Sequence, residues 1–239
     1  MKFHSDTEFA SLSPVNLSVL ATILRRAILM ALIFSNGAFR SELRASLPLT
    51  GAVFQQESLS SSSRKSRSED LPSLPEFIAT IRNGEATVIR GVYASGLFAL
   101  PVVQQPESDF GFVSSQPEAL TTFQLAEENH VIGLLAHNYL SGRYFFDLSK
   151  GHIVIIIKGD GSQRTYRVSE RYHFKRLDPE IATSRYLDLT TRKRFTTRQV
   201  FNRFYRGEHH VTFQTCLERE GDPYWGLLFI VALPLDWPQ

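Results

Sequence analysis

From about residue 86 onward the chain alternates short apolar runs with turn-forming clusters, and the period of most runs is two. Residues 86–93, 131–136, 144–148, 152–158, 164–168, 211–216 and 225–232 are short, rich in β-branched or aromatic side chains, and bounded by Gly, Pro, Asp and Ser. Segments of this kind form strands. Lys158-Gly-Asp-Gly161 lies between two of them, and Gly and Asp supply the positive φ angles of a tight hairpin. One segment carries the helical period instead. Val200, Phe201, Phe204 and Tyr205 recur at i, i+1, i+4 and i+5, Thr196 or Thr197 can cap the start, and Gly207 ends the run. No internal repeat is present. The pattern predicts a mainly antiparallel β domain with one short helix before the strand 211–216.

The first third of the chain does not share this pattern. Arg25-Arg26 precede the apolar run 27–34, and small residues follow at Ser35 and Gly37. This arrangement resembles a secretory signal cleaved after Gly37, behind an unusually long polar leader. The plainer reading is an amphipathic segment, or a start codon placed too far upstream. Eight apolar residues alone are too short to cross a bilayer. From Ser35 to Pro75 the composition turns Ser-rich, with Ser58, Ser60, Ser61, Ser62, Ser63, Ser66 and Ser68 around Arg64-Lys65. Such a stretch cannot bury enough apolar surface to offset its ordering entropy, so it reads as a flexible tether. The expected layout is a targeting segment at 1–37, a linker at 38–76 and a folded domain at 77–239. Export to the cell surface follows from it, with membrane association through the amino-terminal segment.

Charge and composition narrow the function. The 239 residues hold 26 Lys+Arg against 24 Asp+Glu, for a net charge of +2. Neither the leader nor the domain is the strongly basic body of a nucleic-acid binder. The balance conceals a basic stretch, however, with 12 basic and 4 acidic residues from Arg164 to Arg206. It reads as a solvated face of exposed strands, or as a surface for an anionic envelope polymer or lipid. The single cysteine rules out an intramolecular disulfide and any multi-thiolate metal site. No phosphate loop, dinucleotide fingerprint or metal cluster is present, so neither cofactor nor metal is expected.

The candidate chemistry lies in two strands. Alternation in 211–216 places Val211, Phe213 and Thr215 on one face and Thr212, Gln214 and Cys216 on the other. A lone cysteine is a small buried hydrophobe or a reactive thiol. Its place with the polar set is what an accessible thiol requires. The apolar strand 131–136 ends in His137-Asn138. A histidine there can be a satisfied turn residue, but a thiol nucleophile needs such a base nearby to form thiolate at neutral pH. His209-His210 are closer in sequence to Cys216 but displaced along its own strand.

Leu135-Ala-His137-Asn, the strand and hairpin that follow, and Thr212-Phe-Gln-Thr-Cys216 resemble the sortases, bacterial cysteine transpeptidases whose catalytic strand reads Thr-Leu-x-Thr-Cys. The likeness covers about residues 77–235. It implies an eight-stranded β-barrel in which Cys216 attacks the carbonyl of a Leu-Pro-x-Thr-Gly-like sorting signal of surface proteins. The thioacyl group then passes to an amine acceptor of the cell envelope, with His137 as acid/base partner. The same resemblance implies Thr215 and Asn138 as substrate-binding residues. Sortases carry a catalytic arginine on the strand after the cysteine, and Leu227 occupies that position here. Arg219, in the segment following Cys216, is the nearest substitute. A noncatalytic sortase-like surface binding module is the second reading. A caspase-like hydrolase, which also runs His then Cys, is disfavoured because no Gly follows Gln214-Thr-Cys216. Leu47-Pro-Leu-Thr-Gly51 spells a sorting signal within the tether, either by coincidence or as a site of self-processing.

Overall fold

The computed structural model describes residues 71–107, 109–178 and 184–235. The targeting segment, nearly all of the linker and Leu47–Gly51 lie outside the described residues. Ser73 starts the first element, α1 (Leu74–Ile81), through a reciprocal capping box with Glu76 and a proline in the first turn. Residues read as the end of the linker are therefore helical. Phe77 and Ile81 of α1 lie over Gly91, where a Cβ would come within 2.3 Å of the Ile81 Cδ1 and 2.9 Å of the Phe77 ring.

Ten strands follow, with two helices and a 3₁₀ segment between them. They are β1 (Ile89–Ala94), β2 (Phe98–Val103), β3 (Leu120–Thr122), α2 (Gln124–Glu127), β4 (Ile132–Leu135), the 3₁₀ segment Ser141–Asp147, β5 (Ile153–Lys158) and β6 (Gln163–Arg176). Then come β7 (Arg185–Asp188), β8 (Arg194–Thr196), α3 (Thr197–Tyr205), β9 (Val211–Arg219) and β10 (Asp222–Pro234). The strand order is β10-β9-β4-β3-β2-β1-β5-β6-β7-β8, and a further pairing of β10 with β6 closes the sheet on itself. The first eight strands of that order form a closed barrel, while β7 and β8 continue past β6 as an extension. The fold is thus mainly β, an eight-stranded barrel with a short helix before β9, as the resemblance implies. Thr196 caps α3 with a capping box to Gln199. Gly161, at φ +90°, turns the β5–β6 hairpin.

Most ladders are antiparallel, but β2–β3 and β4–β9 run parallel. Apolar side chains form two cores. Phe98, Leu100, Phe145, Tyr166, Phe213, Leu228 and Ile230 fill the barrel. Outside it, Phe204 and Tyr205 of α3 pack on Phe174, Leu227 and Phe229, with the Phe204 and Phe229 rings stacked 4.1 Å apart. Strand β6 takes part in both cores. Its ladder with β10 slips between Val231 and Ala232, and this bulge exchanges the two faces of the strand. Tyr166 and Val168 consequently point into the barrel, whereas Phe174 joins the outer core.

The expected strand at 144–148 is instead the 3₁₀ segment. Leu140 and Gly142 both donate to the His137 carbonyl, at 3.0 and 2.9 Å, and wind the chain tightly. Phe145 then enters the barrel fully buried while Phe146 is 41% exposed, an alternation that mimics a strand in sequence. Strands β2, β3, β7 and β8 were not anticipated, since Pro101 interrupts the first and the others hold only three or four residues.

Candidate active site

The parallel pairing of β4 with β9 sets the site. Ile132 lies opposite Val211 and Leu135 opposite Gln214. Beyond the strand the Ala136 N–H donates to the Gln214 carbonyl at 3.2 Å, and the Thr215 hydroxyl donates to the Ala136 carbonyl at 2.8 Å. The chains remain in step through Ala136 and Thr215, and the next position along each is His137 and Cys216. Leu134 and Phe213 point into the barrel, and Leu135 and Cys216 into the outer core. By the two-residue period, His137 shares the outer face with Cys216.

The outer face of β9 is held from above by α3. The Thr212 hydroxyl donates to the Phe204 carbonyl at 2.7 Å, and the Tyr205 hydroxyl donates to Gln214 Oε1. Cys216, beyond the reach of the helix, is half-buried. Burial pushes its thiol above the usual range, Arg176 draws it back down, and Asp222 pushes it up again. His137 is 9% exposed, with its ring stacked on that of Tyr139 at 5.2 Å and 21°. Burial holds this imidazole below its ordinary value, and a hydrogen bond to the Val113 carbonyl opposes the shift. Both shifts favour the uncharged forms.

Three positions bear on the cation that the resemblance leads one to expect near Cys216. Leu227 faces Cys216 directly across the β9–β10 ladder and is 8% exposed. Arg219 lies on the opposite face of β9 from Cys216, paired with Glu220 at 3.2 Å, with its guanidinium 5.2 Å from the Trp225 ring centroid. The structure does not bring it to the thiol. Arg176, the last residue of β6, is 7% exposed, and its charge acts on Cys216, Tyr186 and Tyr224. Arg176 falls within the basic stretch 164–206, which by composition alone reads as a solvated face. The available signal was the alternation Tyr172, Phe174, Arg176, which continues an apolar face into the charge.

Thr215 is 2% exposed on the barrel side of β9, with its hydroxyl committed to the Ala136 carbonyl. Asn138 is half-buried beside His137. A Cβ at Gly142 would fall 2.3 Å from Thr215 Oγ1 and 2.6 Å from the His137 carbonyl oxygen, so the glycine allows the loop to close against both strands. His209 and His210, at the other end of β9, bond to backbone carbonyls of His130, Phe204 and Glu208. Among the described residues no group of three or more His, Cys, Asp or Glu is placed to hold a metal ion.

No protein-family model matches the chain, and no curated protein does. Among solved structures, sortase A of Listeria monocytogenes is similar at a TM-score of 0.40 and 10% identity, over 62% of this chain and 86% of that one. Sortase C1 of Streptococcus agalactiae, in its complex with MTSET, is similar at a TM-score of 0.40 and 14% identity, over 74% and 89% of the two chains. Sortase C-1 of Actinomyces oris is similar at a TM-score of 0.40 and 14% identity, over 90% and 99%. The solved structures to which this chain is thus compared are sortases.

Proposed function

We propose that the protein is a sortase-like cysteine transpeptidase, with Cys216 as nucleophile and His137 as its acid/base partner. The observation that supports this reading is the parallel β4–β9 ladder, whose register, continued beyond Leu135 and Gln214, leads to His137 on one chain and Cys216 on the other. In the first half-reaction the Cys216 proton passes to His137, and the sulfur forms a bond to the carbonyl carbon of a Leu-Pro-x-Thr-Gly-like signal. The carbonyl π electrons move onto oxygen. As the intermediate collapses the C–N bond breaks, and the imidazolium gives its proton to the leaving amine. In the second, an acceptor amine attacks the thioester carbon and loses its proton to the now neutral imidazole. The C–S bond breaks to restore the thiolate, which takes that proton back. Water in place of the amine gives hydrolysis.

The amino-terminal segment would direct this activity to the outside of the cell, where surface proteins supply the signal and the envelope supplies the amine. The test is incubation of the full chain with a Leu-Pro-x-Thr-Gly peptide library, read by mass spectrometry for a thioacyl adduct on Cys216 and for cleavage at Thr-Gly. The adduct is expected in the native protein and absent in Cys216→Ala. No adduct and no Cys216-dependent turnover between about pH 5 and 10, a range spanning the ordinary imidazole and thiol values, leaves only a binding module.

A further inference from the structure

Charge gathers on the carbonyl oxygen when the thiolate attacks, and β10 presents only Leu227 at the position facing Cys216. We propose that Arg176 of β6 holds this negative charge, so that the anion site is built on β6 and β7, one strand beyond the place where the sequence pattern puts it. The proposal rests on the reading of Cys216 as nucleophile.

The geometry follows from four adjacent strands. Cys216 of β9 pairs with Leu227 of β10, and Leu227 pairs with Phe174 of β6. Arg176 lies two residues beyond Phe174, on the same outer face, and pairs directly with Tyr186 of β7. Leu227 is thus flanked by the thiol on one side and the guanidinium's strand on the other. The bulge at the Val231–Ala232 step puts Arg176 on this face; an unbroken alternation from Tyr166 and Val168 would have turned it into the barrel.

The guanidinium is buried and incompletely satisfied. Its residue is 7% exposed, and Nε has no hydrogen-bond partner. Buried donors are nearly always paired, and an unpaired one is costly unless a ligand completes it. Tyr186, opposite Arg176 in the β6–β7 ladder, steadies the group through its hydroxyl, which interacts with both Arg176 and Thr197. The charge of Arg176 is felt at Cys216 and at Tyr224, and Asp222 is the nearby carboxylate whose charge opposes it at the thiol. Beyond the end of β4 the rings of His137 and Tyr139 stack on each other. Arginine suits the task because its planar fork can bind one partner at the tip and donate through Nε to another.

Two measurements on the full chain test the assignment. The first needs no substrate: Cys216 is modified with methanethiosulfonate reagents of matched size, one anionic and one cationic. The native protein should favour the anionic reagent. Arg176→Gln should lower the anionic-to-cationic rate ratio by about tenfold, because the positive charge that attracts one reagent and repels the other is removed. Arg176→Lys should keep the ratio, and Arg219→Ala should leave it unchanged. The second is turnover of a Leu-Pro-x-Thr-Gly peptide. Arg176→Gln should lower kcat by about 10²–10³, the usual effect of losing one oxyanion donor, with little change in KM. Arg176→Lys, which lacks the Nε donor, should lower kcat by about tenfold. An unchanged reagent ratio in Arg176→Gln overturns the proposal, and so does an unchanged kcat in a variant with a native circular-dichroism spectrum. If Arg176→Gln does not fold, the lysine variant decides, and full kcat there refutes the role of Nε. If the native protein turns over no peptide, the transpeptidase reading fails by itself, and the reagent ratio still decides whether Arg176 is the cation of the site.

Discussion

Replacing Gly142 by alanine tests how closely the loop after His137 is seated. The new Cβ would meet Thr215 Oγ1 at 2.3 Å, the His137 carbonyl oxygen at 2.6 Å and its carbon at 2.8 Å, where ordinary contact begins at 3.4 Å. Both neighbours must retreat by about 1 Å, and neither is the far end of a flexible chain. Overpacking of this degree costs about 1–3 kcal/mol. Displacing Thr215 also disrupts the 2.8 Å hydrogen bond from its buried hydroxyl to the Ala136 carbonyl, at about 1–2 kcal/mol more. A total of about 2–5 kcal/mol corresponds to a fall of about 5–15 °C in Tm for a domain of this size. Because His137 moves with its carbonyl, activity should fall further, by about 10²-fold for a 1 Å displacement. Calorimetry and the rate of Cys216 alkylation by iodoacetamide provide the readouts. Adding Thr215→Ala removes the 2.3 Å clash but leaves the 2.6 Å one, so the double variant should regain only part of the lost Tm. A Gly142→Ala protein that melts within about 2 °C of the native one, with full Cys216 reactivity, would falsify the packing argument.

Three further outcomes follow. The pH profile of kcat/KM should be a broad bell, since burial lowers the imidazole that sets the acid limb and raises the thiol that sets the alkaline limb. Arg176 draws the thiol down, so Arg176→Gln should move the alkaline limb to higher pH, and a limb that moves down contradicts the sign. Tyr139→Ala uncovers the His137 ring and should raise its titration toward the ordinary value, as followed by NMR. Stability should change by no more than about 0.5 kcal/mol, because Tyr139 is 65% exposed. Phe204→Ala removes a fully buried ring stacked on Phe229 and should cost about 3–5 kcal/mol in urea unfolding; a cost below about 1 kcal/mol would show that the outer core does not depend on α3.

What could be read directly from the chain was local. The alternation of 211–216 assigned Cys216 to the face away from Phe213, and the structure divides these residues between the two cores in the same way. Thr196, Val200, Phe204 and Tyr205 defined α3 to within a residue, because a cap and one apolar face are properties of neighbouring positions. The Tyr144-Phe145-Phe146 run misled for the same reason. Its in-and-out alternation is also available to a 3₁₀ segment, and the choice was made by two hydrogen bonds to the His137 carbonyl.

The neighbours of the thiol were not legible in this way. The parallel pairing of β4 with β9 joins segments far apart in sequence, and only the closed barrel sets their register. Arg219 is three residues from Cys216 in sequence yet on the opposite face of its strand. Arg176 is 40 positions away, but a bulge in β6 and the closure of β6 on β10 bring it to the same face. A β-strand's period tells which side of the sheet a residue faces, and nothing about which strand lies next to it. The side on which Cys216 stands was determined by the sequence, and the arginine that stands with it was decided by the ladder.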